Sequence, residues 1–252
     1  MYMVVFPNAK INIGLNIISK RTDGYHNIQS CFYPVEISDI LEILPSDKLQ
    51  FSSTGLAIPG ERQHNLCLKA YRLLKADYDI PAVHIHLHKL IPIGAGLGGG
   101  SSDATFTLKT LNTLFELGID DDNLEHYAAQ LGSDCPFFVR NKPVLASGTG
   151  NEFSAIDLDL SNFQIKIDYP DIHIGTQEAY AGVTPKHPEH SIADIIEKPL
   201  EEWKGLLVND FEESILKSHP TIRQAKEQMY AQGALYASMT GSGSAVYGIF
   251  SN

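Results

Sequence analysis

Apolar and polar positions alternate most strictly between Ala9 and Ile17. Ala9, Ile11, Ile13, Leu15 and Ile17 fall on one face, and Lys10, Asn12, Gly14 and Asn16 on the other. Period two is the pattern of a half-buried antiparallel strand, which puts Lys10 and Asn12 together on its more polar face. Residues 2–6 predict a shorter strand before it, stopped by Pro7. After the Asp23-Gly24 turn, strands are predicted over 30–37, 40–44 and 49–53. Asn65 then caps a helix running to about Asp77, with Leu66, Ala70, Leu73 and Leu74 on its apolar side. Alternation returns over 83–87. A strong helix begins at Ser101 or Ser102, carries Leu108, Leu111, Leu114 and Phe115 as its core stripe, and is ended by Gly118. A second helix covers 122–131 and stops at Gly132.

The pattern loosens at Ser147-Gly148-Thr149-Gly150-Asn151, which sets an expected division into domains 1–149 and 150–252. The later part predicts a strand over 163–167 and helices over 176–181, 192–197, 203–217 and 221–232. The stretch 234–239, the turn Thr240-Gly241-Ser242-Gly243-Ser244 and a strand over 245–250 close the chain. Strands first, then mixed segments without a regular βαβ repeat, predict an α+β fold with largely antiparallel sheets.

Composition narrows the function. The 252 residues carry 19 Lys and Arg against 30 Asp and Glu, a net charge of −11. That balance argues against nucleic acid or an anionic membrane as partner, both of which favour a basic surplus. Cys31, Cys67 and Cys135 are scattered and odd in number, so they suggest neither a disulfide framework nor a zinc site. No stretch approaches the ~20 apolar residues of a membrane span. The start of the chain lacks the charged head and apolar run of a signal peptide. The expectation is a cytoplasmic protein, monomeric or a weak homodimer.

The most informative stretch is Pro92-Ile93-Gly94-Ala95-Gly96-Leu97-Gly98-Gly99-Gly100-Ser101-Ser102-Asp103. Five of the seven residues from 94 to 100 are glycine. Without side chains, backbone amides approach a ligand closely and adopt positive φ. The helix that follows adds unpaired N–H groups and the positive end of its dipole, completing a cradle for phosphates. There is no G-x-x-x-x-G-K-[ST], which excludes a Walker-type loop. Gly94-x-Gly96-x-x-Gly99 also matches the dinucleotide fingerprint, leaving a dinucleotide-dependent oxidoreductase as an alternative. Against it, the preceding strand alternates rather than being continuously apolar, and some ninety residues come before the loop.

Three segments occur in order: Pro7-Asn8-Ala9-Lys10-Ile11-Asn12, the 94–104 loop, and Met239-Thr240-Gly241-Ser242-Gly243-Ser244-Ala245. Together they resemble the signature motifs of the GHMP kinases across essentially the whole chain. Asp23-Gly24-Tyr25-His26, residues 131–138 and Asn209-Asp210-Phe211 resemble the branch that phosphorylates the 2-hydroxyl of a cytidine diphospho-methylerythritol, in non-mevalonate isoprenoid synthesis. The resemblance implies a ribosomal-S5-type N-terminal domain beside a ferredoxin-like one, ATP as phosphoryl donor and Mg²⁺. It assigns Lys10 and Asp134 the catalytic roles. Pro92, Gly94, Gly96, Leu97, Gly98, Gly99, Gly100, Ser101, Ser102 and Asp103 are assigned to ATP, with Asn65, Leu66 and Lys89 nearby. Asn12, Tyr25, His26, Thr176, Tyr180, Gly241, Ser242 and Gly243 are assigned to the acceptor. The metal follows from ATP chemistry, and Ser101 or Ser102 is placed to offer it a hydroxyl. On residues alone, Asn65 equally reads as a helix cap, Lys89 as an exposed strand residue and Tyr25-His26 as a packed hairpin tip. Other GHMP acceptors (homoserine, mevalonate) and a non-catalytic nucleotide-binding module remain as alternatives.

His84, His86 and His88 share one strand face, and H-x-H is a zinc-ligand spacing. The third histidine stands roughly 13 Å from the first, too far to share one ion. A polar face is the expected role.

Overall fold

The computed structural model describes residues 2–252. Strands β1 (Met3–Val5), β2 (Asn8–Lys20), β3 (His26–Ser38), β4 (Ile40–Pro45) and β5 (Gln50–Gly55) precede helix α1 (Leu66–Asp77). Then come β6 (Val83–Lys89), α2 (Gly99–Leu114), α3 (Asp121–Ala129), the short α4 (Phe137–Arg140), β7 (Val144–Ser147), β8 (Glu152–Ala155) and β9 (Phe163–Asp168). The chain ends with α5 (Thr176–Ala181), α6 (Ile192–Ile196), α7 (Glu212–Ser218), α8 (Pro220–Ala231), β10 (Tyr236–Met239) and β11 (Val246–Ser251). The fold is α+β: the pairs β1–β4, β4–β6, β3–β7, β7–β8, β9–β11 and β10–β11 are antiparallel, and β5 runs parallel to β6.

The chain divides into two compact units, each assembled from separate stretches. One takes the residues up to Ala9, Glu36–Ile93 and Gly98–Lys142; the other takes Lys10–Val35, Gly94–Leu97 and Pro143–Asn252. The expected division after residue 149 falls within the latter, in the turn joining the paired strands β7 and β8.

In the first unit the sheet order is β1-β4-β6-β5. Leu41, Ile43, Phe51, Val83, Ile85 and Leu87 project from one face into a core shared with Leu74 of α1 and Leu108 and Leu111 of α2. His84, His86 and His88 project from the other face. Ser52 Oγ sits 2.8 Å from both His84 Nε2 and His86 Nδ1, and Thr54 Oγ1 lies 2.8 Å from His88 Nδ1. Local signals set the helix starts: Asn65 Oδ1 accepts from Cys67 N for α1, and Asp120 Oδ1 from Asn123 N for α3.

The second unit holds the sheets β2-β3-β7-β8 and β10-β11-β9. Ile222, Ala225 and Met229 of α8 share a core with Met239 and Val246 of the second sheet and with Leu15 and Ile17 of β2.

Three expectations are corrected. β2 is buried on both faces: Lys10, Asn12 and Asn16 are as enclosed as the apolar residues between them. α2 begins at Gly99, because Gly98 takes a left-handed conformation (φ 68°) that starts the helix before the serines. The helix expected over 203–217 is an irregular stretch followed by α7, with a 3₁₀ turn at Leu200–Glu202 just before it. Residues 208–210 are diverted to β2, where Leu15 N donates to Val208 O and Asp210 N donates to Leu15 O. That pairing satisfies backbone groups a helix would otherwise have used.

Candidate active site

In the second unit the glycine loop, β2 and the terminal turn are bonded to one another. Lys10 N donates to Leu97 O at 3.0 Å, and Ala245 N donates to Ala95 O at 3.2 Å. Thr240 Oγ1 donates to Gly96 O and accepts from Asn12 N. Gly96, at φ 79°, has room for no side chain, since a Cβ there would lie 2.1 Å from Thr240 O. Asn209 clamps the turn from beneath, its Nδ2 donating to Met239 O at 2.8 Å and Gly241 O at 2.9 Å. Gly94 abuts His173, whose Nδ1 would lie 2.8 Å from a Cβ at that position.

The buried Lys10 Nζ donates to Asn12 Oδ1 at 2.5 Å and lies 4.4 Å from the centroid of the Phe32 ring. Asn12 Nδ2 donates to Ser30 Oγ, and Ser30 Oγ to Gly14 O. Tyr247 Oη donates to Asn12 O. Every polar group of Asn12 is therefore used, which fixes the amide flip and the ammonium beside it.

Tyr25 stands exposed at the β2–β3 turn, while His26 opens β3 with its ring stacked on Tyr180 of α5 at 4.6 Å. Tyr180 in turn meets Phe211 edge-on at 4.9 Å. Burial, then the charge of Lys20, holds the His26 imidazole below the ordinary histidine range, so its neutral form is favoured. Thr176 is exposed at the first position of α5.

In the first unit, the corner carrying Asp134 lies between α3 and α4 and is held against α2. Thr105 Oγ1 donates to Cys135 O at 2.7 Å, and Ser101 Oγ would lie 3.9 Å from a Cβ on Gly132. Asp134 itself is half-buried. The corner that carries Asp134 therefore packs against the first turns of α2. Leu66, the first residue of α1, comes within 3.8 Å of the Cβ position of Gly100, while the Asn65 side chain is taken up by capping.

Lys89 is not an exposed strand residue. It is buried at the end of β6, with its ammonium between two buried carboxylates, Asp39 and Asp103. Burial pulls the Lys89 amine down, but the Asp103 and Asp39 charges outweigh it and hold it above its ordinary value. Asp103, whose Oδ1 finds no partner among the described residues, is pushed by burial up to about 7. Asp39 also accepts from Leu90 N at 2.5 Å and Ile91 N at 2.8 Å, immediately before the glycine loop.

Residues 65–142 match the model of the GHMP kinases N terminal domain, and 191–252 that of the GHMP kinases C terminal. The 4-diphosphocytidyl-2-C-methyl-D-erythritol kinase of Parabacteroides distasonis is 52% identical over 98% of this chain and 92% of its own. The chain belongs to the GHMP kinases.

The kinase of the same name from Cytophaga hutchinsonii is 53% identical, again covering 98% of this chain and 92% of its own. A crystal structure of 4-(cytidine 5'-diphospho)-2C-methyl-D-erythritol kinase superposes with TM-score 0.84 at 31% identity, over 98% of this chain and 90% of that one. A mevalonate kinase at TM-score 0.74 and 16% identity shares the fold. As a GHMP kinase the chain is an ATP-dependent phosphotransferase with an alcohol acceptor. Asp39, Ser30, Phe211, His173 and Tyr247 were not singled out among its site residues from the sequence. Only Asp39 had a usable signal: Lys89 is in phase with Val83, Ile85 and Leu87, and a lysine on the buried face demands a carboxylate.

Proposed function

We propose that this GHMP kinase transfers the γ-phosphoryl group of ATP to the 2-hydroxyl of 4-diphosphocytidyl-2-C-methyl-D-erythritol. The observation that carries the acceptor assignment is the His26–Tyr180 stack beside exposed Tyr25. Aromatic faces suit a pyrimidine, and a neutral imidazole offers one donor and one acceptor to the edge of a base. Relatives bearing that activity in their names, at 52–53% identity over 98% of the chain, support the same reading.

Chemically, the alcohol oxygen forms a bond to Pγ as the bond from Pγ to the β-phosphate oxygen breaks, releasing ADP. The hydroxyl proton goes to Asp134, and the Lys10 ammonium offsets charge on the reacting oxygens. Backbone amides of residues 94–100 and the start of α2 hold the triphosphate. Mg²⁺ neutralises charge on the phosphates when bound. Among the described residues no group of three His, Cys, Asp or Glu is arranged for a metal. Phosphate and water oxygens, with Ser101 Oγ, fit an ion that keeps several waters.

Mass spectrometry after incubation with ATP, Mg²⁺ and the cytidine diphospho-alcohol tests the reading directly. The acceptor should gain one phosphate. Turnover of mevalonate or homoserine instead, with this acceptor unchanged, overturns it. Asp134→Asn should lower kcat by ~10²–10⁴ with the ATP KM nearly unchanged.

A further inference from the structure

Lys89 precedes the glycine loop by a few residues, an easy position from which to assign its ammonium to phosphate. The structure commits that ammonium elsewhere. Lys89 Nζ donates to Asp103 Oδ2 at 2.7 Å and to Asp39 Oδ2, and all three side chains are at least 96% enclosed. Asp39 uses its other oxygen, Oδ1, for the backbone N–H groups of Leu90 and Ile91. Its own N–H donates to Pro7 O. Asp103 lies in the second turn of α2, and the chain between Ile91 and Gly98 is the glycine loop. Both ends of the loop are thereby tied to a single ammonium through two carboxylates.

Space around the ammonium fits the same role. A Cβ on Gly99 would lie 2.9 Å from Lys89 Nζ and 2.8 Å from Ile91 Cγ2, so the first helical residue is packed directly on the clamp. Gly55 packs on the backbone of the same residue: its Cβ position is 2.2 Å from Lys89 O, which accepts from Leu56 N at 2.9 Å. A lysine enclosed in this way, with its donors aimed at two carboxylates, serves as a brace.

We propose that Asp39 is a positioning residue for the ATP loop. Through Lys89 it couples the strand end at Leu90-Ile91 to the first turns of α2, and so sets where the loop's backbone amides point. Lys89 accordingly acts through Asp39 and Asp103 and does not ligate phosphate. The inference rests on the loop's role in holding ATP.

Steady-state kinetics of Asp39→Asn, Lys89→Met and the double variant, varying ATP and acceptor separately, tests it. Asparagine keeps an oxygen for the Leu90 and Ile91 amides but turns an N–H₂ group toward the ammonium. Each single variant should raise the ATP KM about tenfold or more, with the acceptor KM within about twofold. The double variant should be no worse than either single one, because both break the same link. A Lys89→Met effect on the ATP KM with Asp39→Asn at wild-type values makes Lys89 a phosphate ligand and overturns the proposal. So does a loss of thermal stability with neither KM changed. Should either variant fail to fold, Asp103→Asn decides alone. It weakens only the helix-side arm and should raise the ATP KM, whereas an unchanged ATP KM overturns the proposal. Failure of the wild type to bind ATP would instead remove the reading of the loop itself.

Discussion

The residues leading into the glycine loop and those beneath the terminal turn both hold backbone in a buried interior, but with different chemistry. Asp39, Lys89 and Asp103 do so with charge, while Asn12, Asn209 and Thr240 do so with amides and a hydroxyl. A charged clamp is strong because each partner neutralises the desolvated charge of the next, and brittle for the same reason. Removing one member leaves the others buried and uncompensated. A neutral clamp gives less per bond and loses less when cut. The glycine loop has the first kind at its ends, and its middle rests on the second through Gly96 O.

The largest difference between the two clamps should therefore be in stability. Asp39→Ala strips the Lys89 ammonium of one carboxylate and leaves the Leu90 and Ile91 amides without their acceptor. Its cost should be about 3–5 kcal/mol in denaturant unfolding. Asn209→Ala leaves the carbonyls of Met239 and Gly241 and the amide of Phe211 without this side chain. It should cost about 1–3 kcal/mol. Equal losses for the two variants would erase the distinction. A smaller loss for Asp39→Ala would reverse it.

The neutral clamp was more legible in the sequence than the charged one. Thr240 and Gly241 lie in a glycine turn between apolar runs, and Asn12 alternates beside Lys10, so local pattern alone draws attention to them. Asp39 sits between two adjacent strands with no motif around it, and its partners lie 50 and 64 residues onward. Period-two phase was enough to bury Lys89, yet its charge pulled the reading outward. Alternation likewise predicts a half-buried β2 with Lys10 and Asn12 on its more polar face, whereas Lys10, Asn12 and Asn16 are all buried. The helix expected over 203–217 failed for a tertiary reason: residues 208–210 bond to β2, a pairing invisible to local periodicity. The glycine loop, the α1 cap at Asn65 and the alternation of β6 were readable because each depends on residues within a turn or two of itself.

A finer separation comes from acid and base. Burial raises the Asp103 carboxyl from its ordinary 3.8 to about 7, against the pull of Lys89 and with some push from Asp39. A carboxyl whose pKa is higher folded than unfolded holds its proton more tightly in the native state. Its contribution to stability is whole below about 3.8 and is lost as pH climbs through about 7. Between those values the wild type should lose stability relative to Asp103→Asn, which cannot ionise, with a slope no steeper than about 1.4 kcal/mol per pH unit. Unfolding free energies of both proteins measured from pH 4 to pH 8 supply the difference curve. An Asn209→Ala background should leave that curve unchanged, because no member of its hydrogen-bond set titrates in the interval. Parallel wild-type and Asp103→Asn profiles would mean that Asp103 stays ionised throughout. The ammonium would then sit between two full negative charges, and the cluster at the loop's ends would carry a fixed net charge of −1 beneath the site assigned to a triphosphate.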